Sequence, residues 1–409
     1  MGLLLKLSWR NIWRNKRRSL LTLIAIVFAT MTAIAMRGVQ IGTYDVNIKY
    51  VLNLFSGYIQ VQKAGFQKDN SLTKNFKFSQ ELQNILSENK LIKGFAPRVM
   101  SGGLISFKNN SQGAALIGFS PKHESASTTI MNRLMEGSFF ASDTSYDIVV
   151  GYKLLKNLNA KIGDEVVVLS QGIDGSLGNL KFKISGTVKF GNPEMDLSAV
   201  FVALNSAQEL LAMENRIHSI VITLSSQGDV DEVKTGLQNK INDASLVVLD
   251  WGEVLPEFKQ SIDLDNVSGA LMLLILVIIV AFGILNTVLM SVTERFKEFG
   301  VSLSIGMPQI KLVTLIIMET VFIASIGILL GDLIGYGINS YIHNNPITLG
   351  AEFEQMYEEY GFLPIIESSV DLIIFLNTSL VIFVISIISV LYPAYKVYKL
   401  EPLKGIRYT

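Results

Sequence analysis

The residues whose types and spacing could do chemistry concentrate in one short stretch, SVTERFKEFGVSLSIGM at Ser291–Met307. It carries Glu294, Arg295 and Glu298, then Phe299, Gly300 and Gly306, and it lies between two strongly apolar runs, Gly269–Met290 and Leu312–Tyr336. Nothing around it reads as catalysis. The chain has no cysteine, which removes disulfides, thiolate metal sites and cysteine nucleophiles. Its histidines, His123, His218 and His343, are not paired at ligand spacing, so neither a metal site nor a triad follows from them. No GxxxxGK(S/T) motif occurs, so no nucleotide-phosphate loop is read in this chain. What remains is electrostatic docking. Charges this close to membrane-length runs must sit in water on one side of a bilayer, where a short helix can present them to a partner protein.

A second charge lies inside an apolar run. Glu319 falls about a third of the way across the segment that begins at Leu312, where a carboxylate is costly unless it meets a partner helix or a polar cavity. A structural hydrogen bond between spans is the first reading, ahead of ion or proton transport. In the same segment Gly327, Gly331 and Gly335 stand at four-residue spacing, a stripe that allows close helix approach.

Hydropathy supplies the elements that position these groups. Residues 1–19 put Leu3, Leu4, Leu7, Ile12 and Trp13 on one helical face and Lys6, Arg10, Arg14 and Arg17 on the other, an interfacial amphipathic elbow. Residues 20–41 are apolar and long enough to span. Ala33-Ile34-Ala35 imitates a signal-peptide cleavage site, but the basic lead is long for that reading and the segment is taken as an anchor. Lys16, Arg17 and Arg18, with no acidic residue before them, place the N-terminus in the cytoplasm. Further spans are read at 268–290, 311–337 and 370–392, the last stopped by Pro393. They enclose a cytoplasmic loop at 291–310 and an outer loop at 338–369, in which Ala351–Tyr360 is read as a short helix. The basic tail at 393–409 is again cytoplasmic. The chain therefore reads as an α-helical membrane protein with four transmembrane helices and both termini inside.

Between the first two spans, 42–267 contains no run long enough to cross a membrane. Short β-rich runs such as Gly57–Val61, Gly103–Phe107, Ala114–Phe119 and Glu165–Ser170 alternate there with helical stretches such as Ser79–Glu88 and Asp229–Ile241, a large mixed α/β extracytoplasmic domain. Its ends, about 45–100 and 205–262, read as an outer subdomain, with a strand-rich subdomain at about 101–204 inserted. The glycine-rich SQGIDGSLGNLK at Ser170–Lys181 joins two strands and is first a flexible hairpin loop. Its alternative role is an exposed arm through which Gln171, Gly172, Ile173, Asp174 and Leu177 grip a partner. Lys and Arg balance Asp and Glu at 35 each, so the chain lacks the basic footprint of a nucleic-acid binder.

The motifs WRNIWRNKRRSLLTLIAI, SVTERFKEFGVSLSIGM, METVFIASIGILLGDLIG and the terminal YPAYKVYKLEPLKGIRY together resemble the FtsX/MacB-type ABC transporter permeases, over essentially the whole chain. The family pattern hydrophobic-x-Glu-Arg-x-x-Glu-hydrophobic-Gly is met by Val292, Glu294, Arg295, Glu298, Phe299 and Gly300, with Gly306 beyond. Ser304-Ile305-Gly306-Met307 stands where relatives often carry Ala-Leu-Gly-Ala. EGSFF, DIVVGYKLLKNLNAKIGDEVVV and FKISGTVKFGNPEMDLSAVFVALNSAQELL are similar to the lipoprotein-releasing LolC/LolE branch.

The resemblance implies a MacB-like periplasmic domain of two subdomains on a bacterial inner-membrane permease. It implies two ABC ATPase subunits that bind the ATP and Mg, and a second permease, identical or homologous. This chain itself would carry no cofactor, no metal and no enzymatic activity. Glu294–Gly306 would be the coupling helix seated in the ATPase, and the 170–181 hairpin stands where that branch engages a periplasmic carrier protein. Ile34, Met36 and Val39 would line a gap between the first and second spans, open to membrane lipids and to a lipoprotein substrate. The implied function is ATP-driven movement of the periplasmic domain that releases lipoproteins. The alternatives are a MacB-like mechanically coupled exporter of peptides or drugs, and a non-transporting FtsX-like signal transducer.

Overall fold

The computed structural model describes residues 2–350, 352–353, 356–357 and 362–402. The chain divides into two compact units, one formed by Met1–Tyr44, Ile262–Thr348 and Ile365–Thr409, the other by Asp45–Ser261 and Leu349–Pro364. Among the described residues four helical segments are long and apolar enough to cross a membrane: Lys16–Ser56, Pro256–Glu294, Gln309–Asn344 and Leu372–Tyr398.

In the first unit an elbow helix, Gly2–Arg14, breaks at Asn15 and leads into the first span helix, Lys16–Val51. That helix overruns its expected end at 41. No proline interrupts 42–51, and the chain turns only at Gly57, after one π-helical turn and at φ +69. The second span helix, Pro256–Glu294, likewise starts before its expected boundary, with Pro256 at the first helical position, where a missing N–H costs nothing. The fourth, Leu372–Tyr398, does not stop at Pro393. Val390, Ala394 and Val397 on either side of the proline are buried, and in a spanning helix such packing outweighs the single lost backbone bond.

The glycine stripe explains how the spans meet. A Cβ built on Gly327 would lie 2.7 Å from Ile26 Cγ2, on Gly331 2.5 Å from Thr30 Cβ, and on Gly335 2.9 Å from Ile34 Cγ2. Three glycines at i, i+4, i+8 of the third span thus receive three side chains at the same period of the first. Ile26, Ala33, Ile284, Ala324, Ile328 and Ile382 complete an apolar core shared by all four spans. Ser379 Oγ donates to Asp332 Oδ1 at 2.7 Å, tying the fourth span to the third.

The second unit is built on a ten-stranded sheet. In chain order its strands are β1 (Ile59–Lys63), β2 (Ile92–Phe107), β3 (Asn110–Phe119), β4 (Leu134–Gly137), β5 (Asp147–Gly151), β6 (Glu165–Gln171), β7 (Leu177–Val188), β8 (Ala199–Ala203), β9 (Ser219–Leu224) and β10 (Leu246–Asp250). They lie in the order β10-β1-β9-β2-β3-β8-β5-β7-β4, and β6 pairs with β2 and β7. The expected subdomain boundary at 100/101 falls inside β2, whose first half pairs with β9 and whose second half pairs with β3 and β6. The two regions therefore share one 16-residue strand. Pro97 masks that continuity in the sequence. It is tolerated because the β3 ladder begins only at Arg98, leaving Pro97 with a strand on one side alone.

Two buried polar groups pin this unit. Arg98 (1% exposed) donates through Nε to Glu124 (0% exposed) at 3.1 Å and through Nη2 to its other oxygen, while Nη1 reaches the carbonyl of Phe55 at 2.8 Å. His218 stacks on Phe66 with ring centroids 5.1 Å apart. Its Nδ1 accepts the Met100 N–H at 3.0 Å, so Nε2 carries the proton and faces the Leu72 carbonyl at 3.3 Å. Burial pushes the His218 pKa down to about 4. The expected outer loop contributes Leu349–Pro364 to this unit, where the Asn47 side chain accepts the Leu363 N–H at 2.7 Å and Phe362 lies 5.8 Å from Phe258. Most of the helix expected at Ala351–Tyr360 lies outside the described residues, as do Lys404 and Arg407.

Candidate functional site

The Ser291–Met307 stretch folds as the end of the second span, a break at Arg295, and a nine-residue helix, Phe296–Ser304. It is shorter than the expected 291–310 because the second span continues to Glu294. Its stop is a Schellman turn: Gly306 sits at φ +97, its N–H bonds the Leu303 carbonyl and the Met307 N–H bonds the Ser302 carbonyl, each at 3.0 Å. A helix this short is marginal in water and depends on packing. Phe296 and Phe299 supply it, buried among Val292, Leu312, Ile316, Val390 and Val397.

Ion pairs fix the helix to its neighbours. The Arg295 side chain is 8% exposed and donates through Nη1 to both oxygens of Glu319, at 3.1 and 3.0 Å. Asn11 of the elbow donates to the same carboxylate at 2.7 Å. The bond expected between Glu319 and another span is replaced by one that joins the third span to the elbow and to the root of the short helix. Arg295 also lies over the Phe299 ring at 5.0 Å. Around the cluster, Arg14 pairs with Glu298 and Arg18 with Glu294, and Asn11, Arg18, Arg295 and Glu319 line a cavity of about 40 Å³.

This placement sorts the expected docking residues. Arg295, Phe299 and Gly300 are buried and hold the helix, so they do not present themselves to a partner. Glu294 and Glu298 are half exposed but engaged with the start of the first span and with the elbow respectively, and Gly306 is exposed at the turn. The outward surface falls instead to Lys297, Val301 and Ile305, the last 81% exposed. Sequence reasoning misses Arg14 and Arg18 as members of the cluster. Their i, i+4 spacing, matched by that of Glu294 and Glu298, is the signal that could have found them.

The remaining candidates lie apart from this cluster. Ile34 is fully buried against Gly335 and so lines no gap; Met36 is exposed and Val39 half-buried. Nearby, Arg37 Nη1 donates to Gln40 at 2.7 Å and to Asn266 at 3.2 Å, and Gln40 reaches the Asp265 carbonyl at 2.9 Å, closing the first span onto the second. The 170–181 segment is a tight hairpin rather than a loose arm. Gly172 N–H bonds the Ser176 carbonyl, and Ile173 N–H bonds the carbonyl of Leu211 at 2.9 Å, beyond the helix Leu204–Leu210. Asp174 accepts from the N–H and hydroxyl of Ser176, which lowers its pKa. Gly172 is buried, Ile173 half-buried and Gln171 exposed, while Leu177 is 71% exposed. Among the described residues no group of three or more His, Cys, Asp or Glu could hold a metal ion.

Comparison with known proteins places both halves of the chain. The family model for the MacB-like periplasmic core domain matches residues 19–240, more than half of the 409 residues, and that for the FtsX-like permease C-terminal region matches 270–402. An uncharacterized ABC transporter permease of Methanocaldococcus jannaschii is 20% identical over 87% of this chain and 86% of its own length. The lipoprotein-releasing system transmembrane protein LolC of Neisseria meningitidis is 21% identical over 84% of this chain and 86% of its own. The macrolide export ATP-binding/permease protein MacB of Acinetobacter baylyi is 21% identical over 80% of this chain, which spans 50% of that protein.

Proposed function

Because the chain belongs to the FtsX/MacB-type ABC transporter permeases, we propose that it is a permease subunit driven by a separate ATPase that docks on the helix Phe296–Ser304 from the cytoplasm. One observation carries the reading. This helix is anchored inward by buried Arg295 and Phe299, yet turns Val301 (49% exposed) and Ile305 (81% exposed) outward at its far end, and exposed apolar residues on an otherwise tethered helix suit a partner's groove. ATP-driven movement of that groove would enter the third span through the Arg295–Glu319 contact. A second permease copy is supported by the second span, whose apolar window is 11% buried where that of the third is 39% buried. Co-expression with the candidate ATPase tests the docking. Ile305→Glu combined with Val301→Glu should lower permease-stimulated ATP hydrolysis at least tenfold while leaving thermal unfolding unchanged, and full stimulation in that variant overturns the proposal.

The substrate reading is lipoprotein release to a periplasmic carrier, with the exposed Leu177 hairpin as the contact offered. The similarity to LolC, 21% identical over 84% of this chain, supports it. Depletion of the protein should leave lipoproteins in the inner membrane of spheroplasts; undiminished release removes the reading. The match of 19–240 to the MacB-like core domain favours a mechanically coupled exporter as the second reading. Co-purification of an adaptor protein in place of a carrier would select it.

A further inference from the structure

An apolar groove of about 350 Å³ opens where the elbow helix meets the first and third spans, within one compact unit. Trp9, Trp13, Leu20, Leu23 and Ile323 line it, together with the exposed Lys16. Its tryptophans stay open to the surroundings, at 45% and 57% exposure, although they are held in place: their ring centroids lie 6.1 Å apart, and Trp9 sits edge-on to Phe322 at 5.9 Å. The volume falls in the range of about 300–1,000 Å³ usual for ligand pockets.

The surrounding cations divide into two sets. Arg14 and Arg18 are committed to Glu298 and Glu294. Lys6, Arg10, Lys16 and Arg17 are exposed. An apolar, tryptophan-lined groove with an exposed lysine among its lining residues, unpaired among the described residues, matches a molecule with a hydrocarbon tail and an anionic head. Tryptophans and an amphipathic basic helix at the start of a spanning helix also mark the headgroup level of a bilayer.

We propose that this groove binds one anionic phospholipid from the leaflet on the elbow side, with an acyl chain along Trp9, Trp13 and Leu23 and its phosphate on Lys16. The site needs the four helices to cross a bilayer and does not depend on ATPase docking or on the transported substrate. The chain's three tryptophans make it directly measurable, because only Trp251 lies outside the groove. A Trp251→Phe variant of the full chain is reconstituted in phosphatidylcholine vesicles containing either phosphatidylglycerol or phosphatidylcholine with brominated acyl chains. Brominated phosphatidylglycerol should quench the remaining emission at roughly fivefold lower mole fraction, the effect of one lysine beside an anionic headgroup. Lys16→Gln should erase the preference and Lys16→Arg should keep it. Equal quenching by both lipids overturns the proposal. So does a preference that survives Lys16→Gln, or a loss of quenching by both lipids alike in that variant.

Discussion

Replacing Arg295 with methionine keeps most of the side chain's volume over Phe299 but leaves the Glu319 carboxylate, 15% exposed, with Asn11 as its remaining hydrogen-bond donor. Replacing Glu319 with leucine instead strands the Arg295 guanidinium, 8% exposed, near the half-exposed Glu298 at 3.5 Å. Removing one partner of a buried pair costs about 3–5 kcal/mol, whereas exchanging both for apolar groups of similar volume is often neutral or better. Each single variant should therefore lose about 3–5 kcal/mol of stability and the double variant little. The two single losses sum to about 6–10 kcal/mol, so a nearly neutral double variant leaves a coupling energy on the order of 6 kcal/mol, far above the roughly 0.5 kcal/mol within which independent sites add. Denaturant unfolding of the four proteins in one detergent closes the cycle, and ATPase stimulation in the reconstituted complex gives a second readout. The single variants should lose stimulation, and the double variant should regain part of it if the pair acts by positioning the short helix. Additive unfolding free energies would refute the reasoning, because the pair would then not be the link between that helix and the third span.

Gly331→Leu must push the first and third spans apart, since its Cβ alone would lie 2.5 Å from Thr30 Cβ; a loss of about 1–3 kcal/mol in the same unfolding assay is expected, with Gly337→Leu, where nothing lies within 4 Å of the built Cβ, as the near-silent control. Arg98→Met should destabilise the second unit by about 3–5 kcal/mol, read as a lower midpoint in thermal circular dichroism. His218 carries a pH signature: its folded pKa, about 4, lies below the ordinary 6.5, so the unfolded chain takes up the proton first as pH falls. Its neutral form leaves stability untouched above pH 6.5; between 6.5 and about 4 stability should decline by up to about 3 kcal/mol, and His218→Gln should flatten that part of the profile.

The sequence carries the spans and the short helix well, because hydropathy is summed over many residues and one misplaced boundary does not erase it. Helix ends are harder. Nothing in 42–51 or at Pro393 announces how far the packed helices run. The glycine stripe is legible as a packing motif, but its partner is not, since Ile26, Thr30 and Ile34 look like any other residues of a spanning helix. In the charged stretch, residue type suggests that all of Glu294, Arg295 and Glu298 face a partner; burial of Arg295 and the pairing of Arg14 and Arg18 reassign them to internal tethering. Arg98 and Glu124 stand 26 positions apart in sequence, and no local pattern links them. The glycines at 170–181 suggest a loose hairpin, whereas Asp174 and the bond from Ile173 to Leu211 hold its turn.

The unbroken course of β2 has a mechanical consequence. Sixteen extended residues reach about 50 Å. Pairing with β3 runs without a slip from Arg98–Phe119 to Phe107–Asn110, and the β9 ladder begins at that same Arg98 and runs the opposite way. A pull along this strand loads the rungs of both ladders together in shear, and they cannot open one at a time as in a zipper. The second unit is thereby built to resist extension along β2.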